Sequence, residues 1–587
     1  MQKHEQREQE FSLKNYFVPL TILKAIHWIV IIGLIIYFNG FFNGFVKDDH
    51  AEITENPIIY SIQNFPDFFT GSLFYNGPGQ KLTGSFYRPF LGVTFSLIYT
   101  LFGSSSFVFH FFQVLLFIIN ACLVFLIFKR FFKPPLAFVL SLLFLVHPIN
   151  SEAAFYISAL QETLFFFFGI LAFWILQKHQ SQKFLLFASF FLLCSLLSKE
   201  TGILFFALSY GFLFMSARKK LYPFLAYSLP MLLIYLFLRV NAIGIISHTG
   251  ANAPIQNLSL SERLINIPAI VLFYLKVFVF PYDLSSSYHF VSTKITIDHF
   301  WMPFFLDLIF FMTIIATAWF IYKRASRRYF TFFIFFCIWL LLGLLLHLQI
   351  TPLDKTVAEQ WFYFPIVGML GMIGVVLESL SISFRNKWVI AITCMILILL
   401  SLRTFVRSFD WRNELSIATH DITVSKDAYD LESELSYSYF QQGNLNQALM
   451  HAKKSVELYP AITNYDNLGS IYGYLGKYKE AVNAYRKSLL YGSYYLTYEN
   501  LALLASSYGD KKKNIVFIKN VALKQYPYDA KIWLYLAGLE YHTGDKKGAL
   551  FAVQQAYQYG PSAQVVAVYR AIVTNQPLST RIIKNSP

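Results

Sequence analysis

The stretch VPLTILKAIHWIVIIGLIIYFNGFF (residues 18–42), followed at once by NGFVKDDH (43–50), decides the fold. An apolar run of about 25 residues is long enough to cross a bilayer as a helix. It is too long for the h-region of a signal peptide, and no small-residue cleavage site follows it. Two adjacent carboxylates, Asp48 and Asp49, then stand where the run leaves the membrane. Acidic pairs are costly there, so a chemical role is the first thing to test against mere solvation of a helix end.

Composition extends this reading to most of the chain. Of 587 residues 56% are hydrophobic and only 14% charged, too few polar groups to cover a soluble protein of this size. Further spans are expected at 107–128, 135–147, 162–177, 183–198, 201–217, 220–239, 302–322, 329–347, 361–379 and 388–403, about eleven in all. The net charge of +15 does not point to nucleic acid. Its lysines and arginines cluster in short connections, at Lys129-Arg130, Lys178–Lys183, Arg218–Lys220, Lys323–Arg328 and Arg385–Lys387, as cytoplasmic loops do. The four cysteines (122, 194, 337 and 394) all lie inside apolar runs and carry no metal-ligand spacing.

With Lys3, Arg7 and Lys14 placed inside, every basic cluster falls inside, provided that two shorter apolar stretches, Tyr87–Phe102 and Ile267–Phe280, lie on the outer face without crossing. The polar islands then share the outer side: Asp48-Asp49, Tyr87-Arg88-Pro89, His147-Pro148 with Glu152, Lys199-Glu200, Asp283–His289 and Ala358-Glu359-Gln360. An odd number of spans puts the C-terminal region there as well.

Past Arg403 the patterning turns amphipathic with a period of about 33–35 residues. Leu435, Tyr439, Gly443 and Ala448 recur as Leu468, Tyr472, Gly476 and Ala481, more weakly as Leu501, Ala502 and Gly509, and again with Trp533, Leu536, Ala537, Gly544 and Ala549. This resembles tetratricopeptide repeats, about four across 429–562, an architecture that stacks helix pairs into protein-binding surfaces. The expected division is a membrane domain at 1–408, the repeats at 429–562 and a tail at 563–587. The fold class is all-α.

Taken in order, Asp48-Asp49-His50 with Asn56-Pro57, Tyr87-Arg88-Pro89, His147-Pro148-Ile149-Asn150-Ser151-Glu152-Ala153, Ser198-Lys199-Glu200-Thr201-Gly202, Tyr274-Leu275-Lys276, Pro281, Leu284-Ser285 and Glu359 with Tyr363 and Pro365 resemble the transmembrane and tetratricopeptide-repeat-containing O-mannosyltransferases. These belong to the GT-C superfamily, which uses polyprenyl-phosphate sugars. Two positions depart from the family pattern. Its Glu-Arg-Tyr triplet reads Glu359-Gln360-Trp361, and Leu160 stands where an arginine usually follows the Glu-Ala motif.

The resemblance implies a GT-C-type membrane domain and inverting transfer of a monosaccharide, mannose in the family, from an undecaprenyl or dolichyl phosphate to a protein hydroxyl. It also makes Asp48 the base. Transfer to a hydroxyl needs a group that takes the acceptor proton, and a carboxylate in reach serves. Asp49 and Glu152 complete the catalytic set. Asp49 orients the site or, with Asp48, holds a divalent cation, Mg or Mn, the one cofactor considered. Arg88 and Lys199 are the candidates to stabilise charge on the leaving phosphate. His147, Glu200 and Glu359 are supporting residues, His147 as a helix-end element. The partners are then the donor lipid, the bilayer and a protein acceptor captured by the repeats. The expected location is a bacterial inner membrane with the repeats in the periplasm, or the ER membrane with the repeats in the lumen. Two other classes compete: an O-antigen ligase or polymerase acting on polyprenyl-diphosphate glycans, and a non-enzymatic membrane-anchored scaffold.

Overall fold

The computed structural model describes residues 20–179, 181–244, 253–384 and 386–578. The basic residues Lys3, Arg7, Lys14 and Arg385, the start of the first span at Val18 and the last nine residues of the expected tail lie outside the described residues. Helix dominates throughout. The described residues hold no β-strand, only two isolated bridges, Phe74 with Thr83 and Tyr288 with Val357.

Among the described residues seven helices are long and apolar enough to cross a membrane: Ile22–Phe42, Ser106–Phe128, Ile157–Lys178, Arg218–Ile243, Ile297–Arg324, Arg327–Leu345 and Lys387–Asp410. The pair Pro134–Val146 and Pro148–Phe155, bent by 53°, adds an eighth if it is one span. The expected count of about eleven is therefore corrected to seven or eight by length and composition. All the remaining expected spans are helical but short: Gln182–Ser198, Glu200–Ser216 and Pro365–Ser379. A 17-residue helix rises about 25 Å, less than the roughly 30 Å of a hydrocarbon core. The physical reason is that Lys199-Glu200 and Glu359-Gln360 interrupt the apolar runs with groups that turn inward to partners. Of the two stretches expected not to cross, one forms the short helix Pro89–Phe102. The other lies in Leu260–Val279, which carries Glu262, Arg263 and Lys276 and is not among the candidate spans.

Burial differs sharply among the spans. Within Ile157–Lys178 72% of the most apolar window is buried, whereas within Lys387–Asp410 only 6% is, at a mean hydropathy of 2.4. A helix that apolar and that uncovered needs lipid around it. The enclosed helix lies at the centre of an aromatic core, where Tyr363 meets Phe117, Phe144 and Phe166 and its hydroxyl accepts from Asn120 (3.1 Å). Close packing is extreme at Gly169, where any Cβ would stand 2.0 Å from the Phe205 ring.

The bend at His147-Pro148 follows from local chemistry. Proline lacks an N–H and turns the residue before it away from helix. His147 Nδ1 accepts the Ile149 N–H (3.2 Å), so Nε2–H donates to the Phe278 carbonyl (2.9 Å). The helix resumes only at Ser151–Phe155, and this break carries the polar run 150–162 into the interior.

The C-terminal region is built of paired helices: Tyr429–Gln441 with Leu445–Leu458, Ile462–Tyr474 with Tyr478–Ser488, Tyr495–Ser507 with a broken second helix from Lys511, and Ala530–His542 with Lys546–Tyr559. A further helix, Ala563–Val573, packs on the last pair. Each turn between partners is made by the periodic glycine, Gly443, Gly476, Gly509 and Gly544, at φ +75, +72, +91 and +88°, a conformation that side chains resist. Successive first helices are tied by polar contacts at the repeat spacing: Asn467 to Ser433, Asn500 to Asp466 and Lys531 to Glu499.

A connecting helix, Glu414–Val424, joins the two regions through a buried ion pair. The Arg407 guanidinium donates to both carboxylate oxygens of Asp421 (2.7 and 3.2 Å), and neither side chain is exposed. Asp421 also accepts from the Ser286 N–H (2.6 Å). Removing one partner of such a pair strands a buried charge and costs about 3–5 kcal/mol. Asp421→Ala should accordingly lower the thermal unfolding temperature of the detergent-solubilised protein by several degrees, whereas Asp410→Ala, at the less buried end of the same network, should shift it far less. Equal shifts would show that the Arg407–Asp421 pair does not carry the junction.

Candidate active site

The loop after the first candidate span begins at Phe45 and is turned by Lys47, which adopts φ +54°. Its N–H donates to Glu414 (2.6 Å) and its ammonium pairs with Glu434 of the first repeat. The two acids that follow are placed oppositely. Asp48 is exposed at the surface, and its N–H donates to the Tyr156 hydroxyl oxygen (3.1 Å). Asp49 is wholly buried and accepts three hydrogen bonds: Oδ1 from the Ser158 N–H (2.8 Å) and hydroxyl (2.7 Å), Oδ2 from the Val46 N–H (3.0 Å). Burial pushes its pKa up to about 7, against the downward pull of these donors. Both Asp49 oxygens thus point at N–H and O–H groups, the opposite of what a cation requires. No group of three His, Cys, Asp or Glu among the described residues is arranged to hold a metal.

Arg88 is buried, over the Phe86 ring at 4.0 Å. Its Nε donates to Glu200 Oε2 (3.1 Å) and its Nη1 to Gln161, while Glu200 Oε1 accepts from the Tyr87 N–H (3.2 Å). Lys199, also buried, pairs with Glu162. Both phosphate candidates are therefore already matched to carboxylates. Glu152 and Glu359 are fully enclosed. Glu152 Oε2 accepts from the Gln360 N–H (3.0 Å), and Glu359 Oε1 from the Ser285 N–H (2.7 Å) and the Tyr288 hydroxyl (2.9 Å). The second oxygen of each has no hydrogen-bond partner among the described residues. Burial pushes Glu359 up to about 8, with Arg407 opposing.

The sequence-derived residues therefore form three groups: Asp48 with Asp49, Arg88 with Glu200 and Lys199, and Glu152 with Glu359. His147 stands apart, both ring nitrogens spent on backbone. The groups are joined by a segment in which only Glu152 is a sequence-derived site residue. Glu152, Tyr156, Ser158, Gln161 and Glu162 each touch one of them. Glu52, buried on the π-turn His50–Thr54, faces the fields of Asp48, Asp49 and Arg88 and was also missed. A clue was present, since Gln161-Glu162 opens an otherwise apolar helix, where such residues are expensive.

The contrast between the acids yields a stability test. Asp49→Asn turns an NH2 group towards a donor that now meets a carboxylate, at a cost of about 1–3 kcal/mol. Asp48→Asn alters an exposed group and should stay within about 0.5 kcal/mol. Thermal unfolding of the two variants should separate them in that order, and the reverse order would mean that Asp49 is not the anchor.

Comparison with known proteins finds relatives for both regions of the chain. Residues 88–242 match the family model described as dolichyl-phosphate-mannose-protein mannosyltransferase, and residues 462–491 match a tetratricopeptide repeat. Protein O-mannosyl-transferase F38B6.6 of Caenorhabditis elegans is 26% identical over 412 residues, 68% of this chain and 57% of the relative. Protein O-mannosyl-transferase TMTC3 of Homo sapiens is 22% identical over 516 residues, 80% of this chain and 55% of the relative. Protein O-mannosyl-transferase TMTC1 of Homo sapiens is 32% identical over 178 residues, 28% of this chain and 20% of the relative. The chain thus spans a little over half the length of the first two. The likeness to transmembrane, repeat-containing O-mannosyltransferases read from the motifs is borne out.

Proposed function

We propose that this chain is a membrane glycosyltransferase that moves a monosaccharide, mannose by its relatives' names, from a polyprenyl phosphate to a hydroxyl of a protein acceptor. The observation that carries the reading is the pairing of an exposed acid, Asp48, with a buried one, Asp49, tethered through Ser158 to the same segment that holds Arg88 through Gln161 and Lys199 through Glu162. Asp48 takes the proton of the acceptor hydroxyl as its oxygen attacks the sugar C1. The C1–phosphate bond breaks on the opposite face, so the configuration inverts, and the electron pair leaves on the phosphate oxygen. Arg88 spends Nε and Nη1 on its partners, and its Nη2 N–H groups are left to meet the donor phosphate. Lys199 keeps Glu162 neutralised and adds positive potential. Asp49 fixes the loop, and Glu152 and Glu359 offer unpartnered carboxylate oxygens to sugar hydroxyls. No step is assigned to a divalent cation, because the Asp49 oxygens face donors.

Transfer belongs in this reading to residues 1–408 together with the connecting helix, and acceptor capture to the repeats at 429–562. Contacts between the repeats and the outer loops support the same side for both. Tyr526 donates to Asn76 (3.3 Å), Tyr75 meets Tyr495 edge-on at 5.7 Å, and Asn257 donates to Tyr459 (2.9 Å). We place that side away from the cytoplasm, in the periplasm of a bacterial cell or the lumen of the ER.

The decisive assay supplies purified protein with radiolabelled polyprenyl-phosphate mannose and a Ser/Thr-rich acceptor. Asp48→Asn should cut transfer by about two to four orders of magnitude with donor binding retained. Near-normal transfer by this variant, with Glu152→Gln inactive, would move the base to Glu152. Sidedness is tested separately: alkaline phosphatase fused after Pro561 should be active in a bacterial host, and green fluorescent protein at the same place dark. The opposite pattern would put the repeats in the cytoplasm and sink the shared-side reading.

A further inference from the structure

The fourth repeat contains a cavity that the periodicity of the chain explains. The fourth residue after the periodic leucine is Tyr439 in the first repeat and Tyr472 in the second, and both rings pack in the repeat core. The corresponding residues are Ala505 in the third repeat and Glu540 in the fourth. At the fourth-repeat position, where Glu540 stands in place of a ring, an open cavity of about 640 Å³ remains. That is within the range of small-molecule sites.

Its walls have a consistent chemistry. Trp533 and Phe551 stand edge to face at 5.8 Å, and Phe551 is 56% exposed. The Trp533 N–H is already spent on the Pro527 carbonyl (2.7 Å), so the ring itself is what a ligand meets. Opposite are Lys519, Asn520 and Lys524, the first two carried by a π-helical turn, Ile518–Ala522, inside the preceding helix. Glu540 lines the cavity although it is only 1% exposed. Lys519 pairs with its Oε1, while Oε2 accepts no hydrogen bond among the described residues. Gly548 leaves room for that oxygen, since a Cβ there would stand 2.8 Å from it.

We propose that this pocket binds a neutral sugar ring, as presented by a glycosylated protein. The choice follows by matching groups. A purely apolar side chain would leave the buried Glu540 oxygen unsatisfied, at a cost of about 1–3 kcal/mol. An anion would be set against Glu540, and a cation against Lys519 and Lys524. A pyranose offers hydroxyls that donate to Glu540 and accept from the lysines and Asn520, with an apolar face for Trp533 and Phe551. The site goes beyond the transfer reaction, because it lies in the repeats and needs no donor.

The test titrates the full-length protein in detergent, without donor, with methyl α-mannopyranoside and with a Ser/Thr peptide bearing or lacking one O-linked mannose. We expect saturable binding of the sugar at a Kd on the order of 1 mM, tighter binding of the glycosylated peptide, and none of the bare peptide at comparable concentration. Glu540→Tyr restores the periodic ring, so it should keep or raise the unfolding temperature and weaken sugar binding at least about tenfold, or 1.4 kcal/mol. Phe551→Ala, at a half-exposed position, provides a second variant with the same expected loss. Absence of sugar binding, equal binding of the bare peptide, or binding that survives both substitutions would each overturn the proposal. All three readouts are independent of Asp48, so their failure leaves the transfer reading intact.

Discussion

A carboxylate taken out of water must be met by donors or by a cation, and this single demand organises the polar interior of the membrane domain. Asp49, Glu152, Glu162 and Glu359 are all buried, and each recruits a different element: Ser158 and Val46, the Gln360 backbone, Lys199, and Ser285 with Tyr288. Unmet, any of them would favour local unfolding or protonation. Met, they lash the loops after several helices to one interior segment. The price is that three short apolar helices end where their polar neighbours turn inward.

The same demand joins the repeats to the membrane domain. Arg407, on the last candidate span, has no water to charge against and depends on Asp421 in the connecting helix. Asp430 at the start of the first repeat pairs with His289 (3.1 Å) and is held well below the usual carboxylate range; burial pushes it up, and His289 and Lys47 more than offset that. A cut placed by composition alone near residue 408 falls between these partners. The hydrophobic periodicity reports where the apolar helices end, whereas the ion pairs cross that point and tie the connecting helix and the first repeat to the loops before it.

That difference marks what was legible in the sequence. Helix after helix could be read, since a run such as Ser106–Phe128 has no other way to hide its backbone in lipid. The repeat turns were equally plain, because Gly443 and its counterparts answer a local requirement for positive φ. Asp48-Asp49, Arg88, Lys199 and Glu152 stood out as charges amid apolar neighbours. Which residues they pair with did not, even where the partner itself, Glu200 or Gln360, was marked. Ser158 lies 109 residues from Asp49, Glu200 lies 112 from Arg88, and Gln360 lies 208 from Glu152. A serine or glutamine has no composition signal of its own, and nothing local distinguishes the one that completes a buried acid from the many that face water. The span count differs for a related reason: every expected span is helical, but length was judged from apolar runs, while three helices are shorter than the runs suggested.

Lys47 shows how far such coupling reaches. A side-chain-bearing residue at φ +54° costs roughly 1–2 kcal/mol relative to ordinary backbone, and the loop would relax without outside support. The support comes from Glu414 on its N–H and Glu434 on its ammonium, 367 and 387 residues away. Burial of the ammonium would lower its pKa, but Glu434, Asp430 and Glu414 together raise it above the ordinary lysine value, so the charge that makes the bridge persists. Because Asp48 follows immediately, the direction in which the exposed acid faces is fixed as much by the first repeat and the connecting helix as by the loop itself. The repeats are therefore part of the geometry around Asp48, in addition to forming a surface beside it.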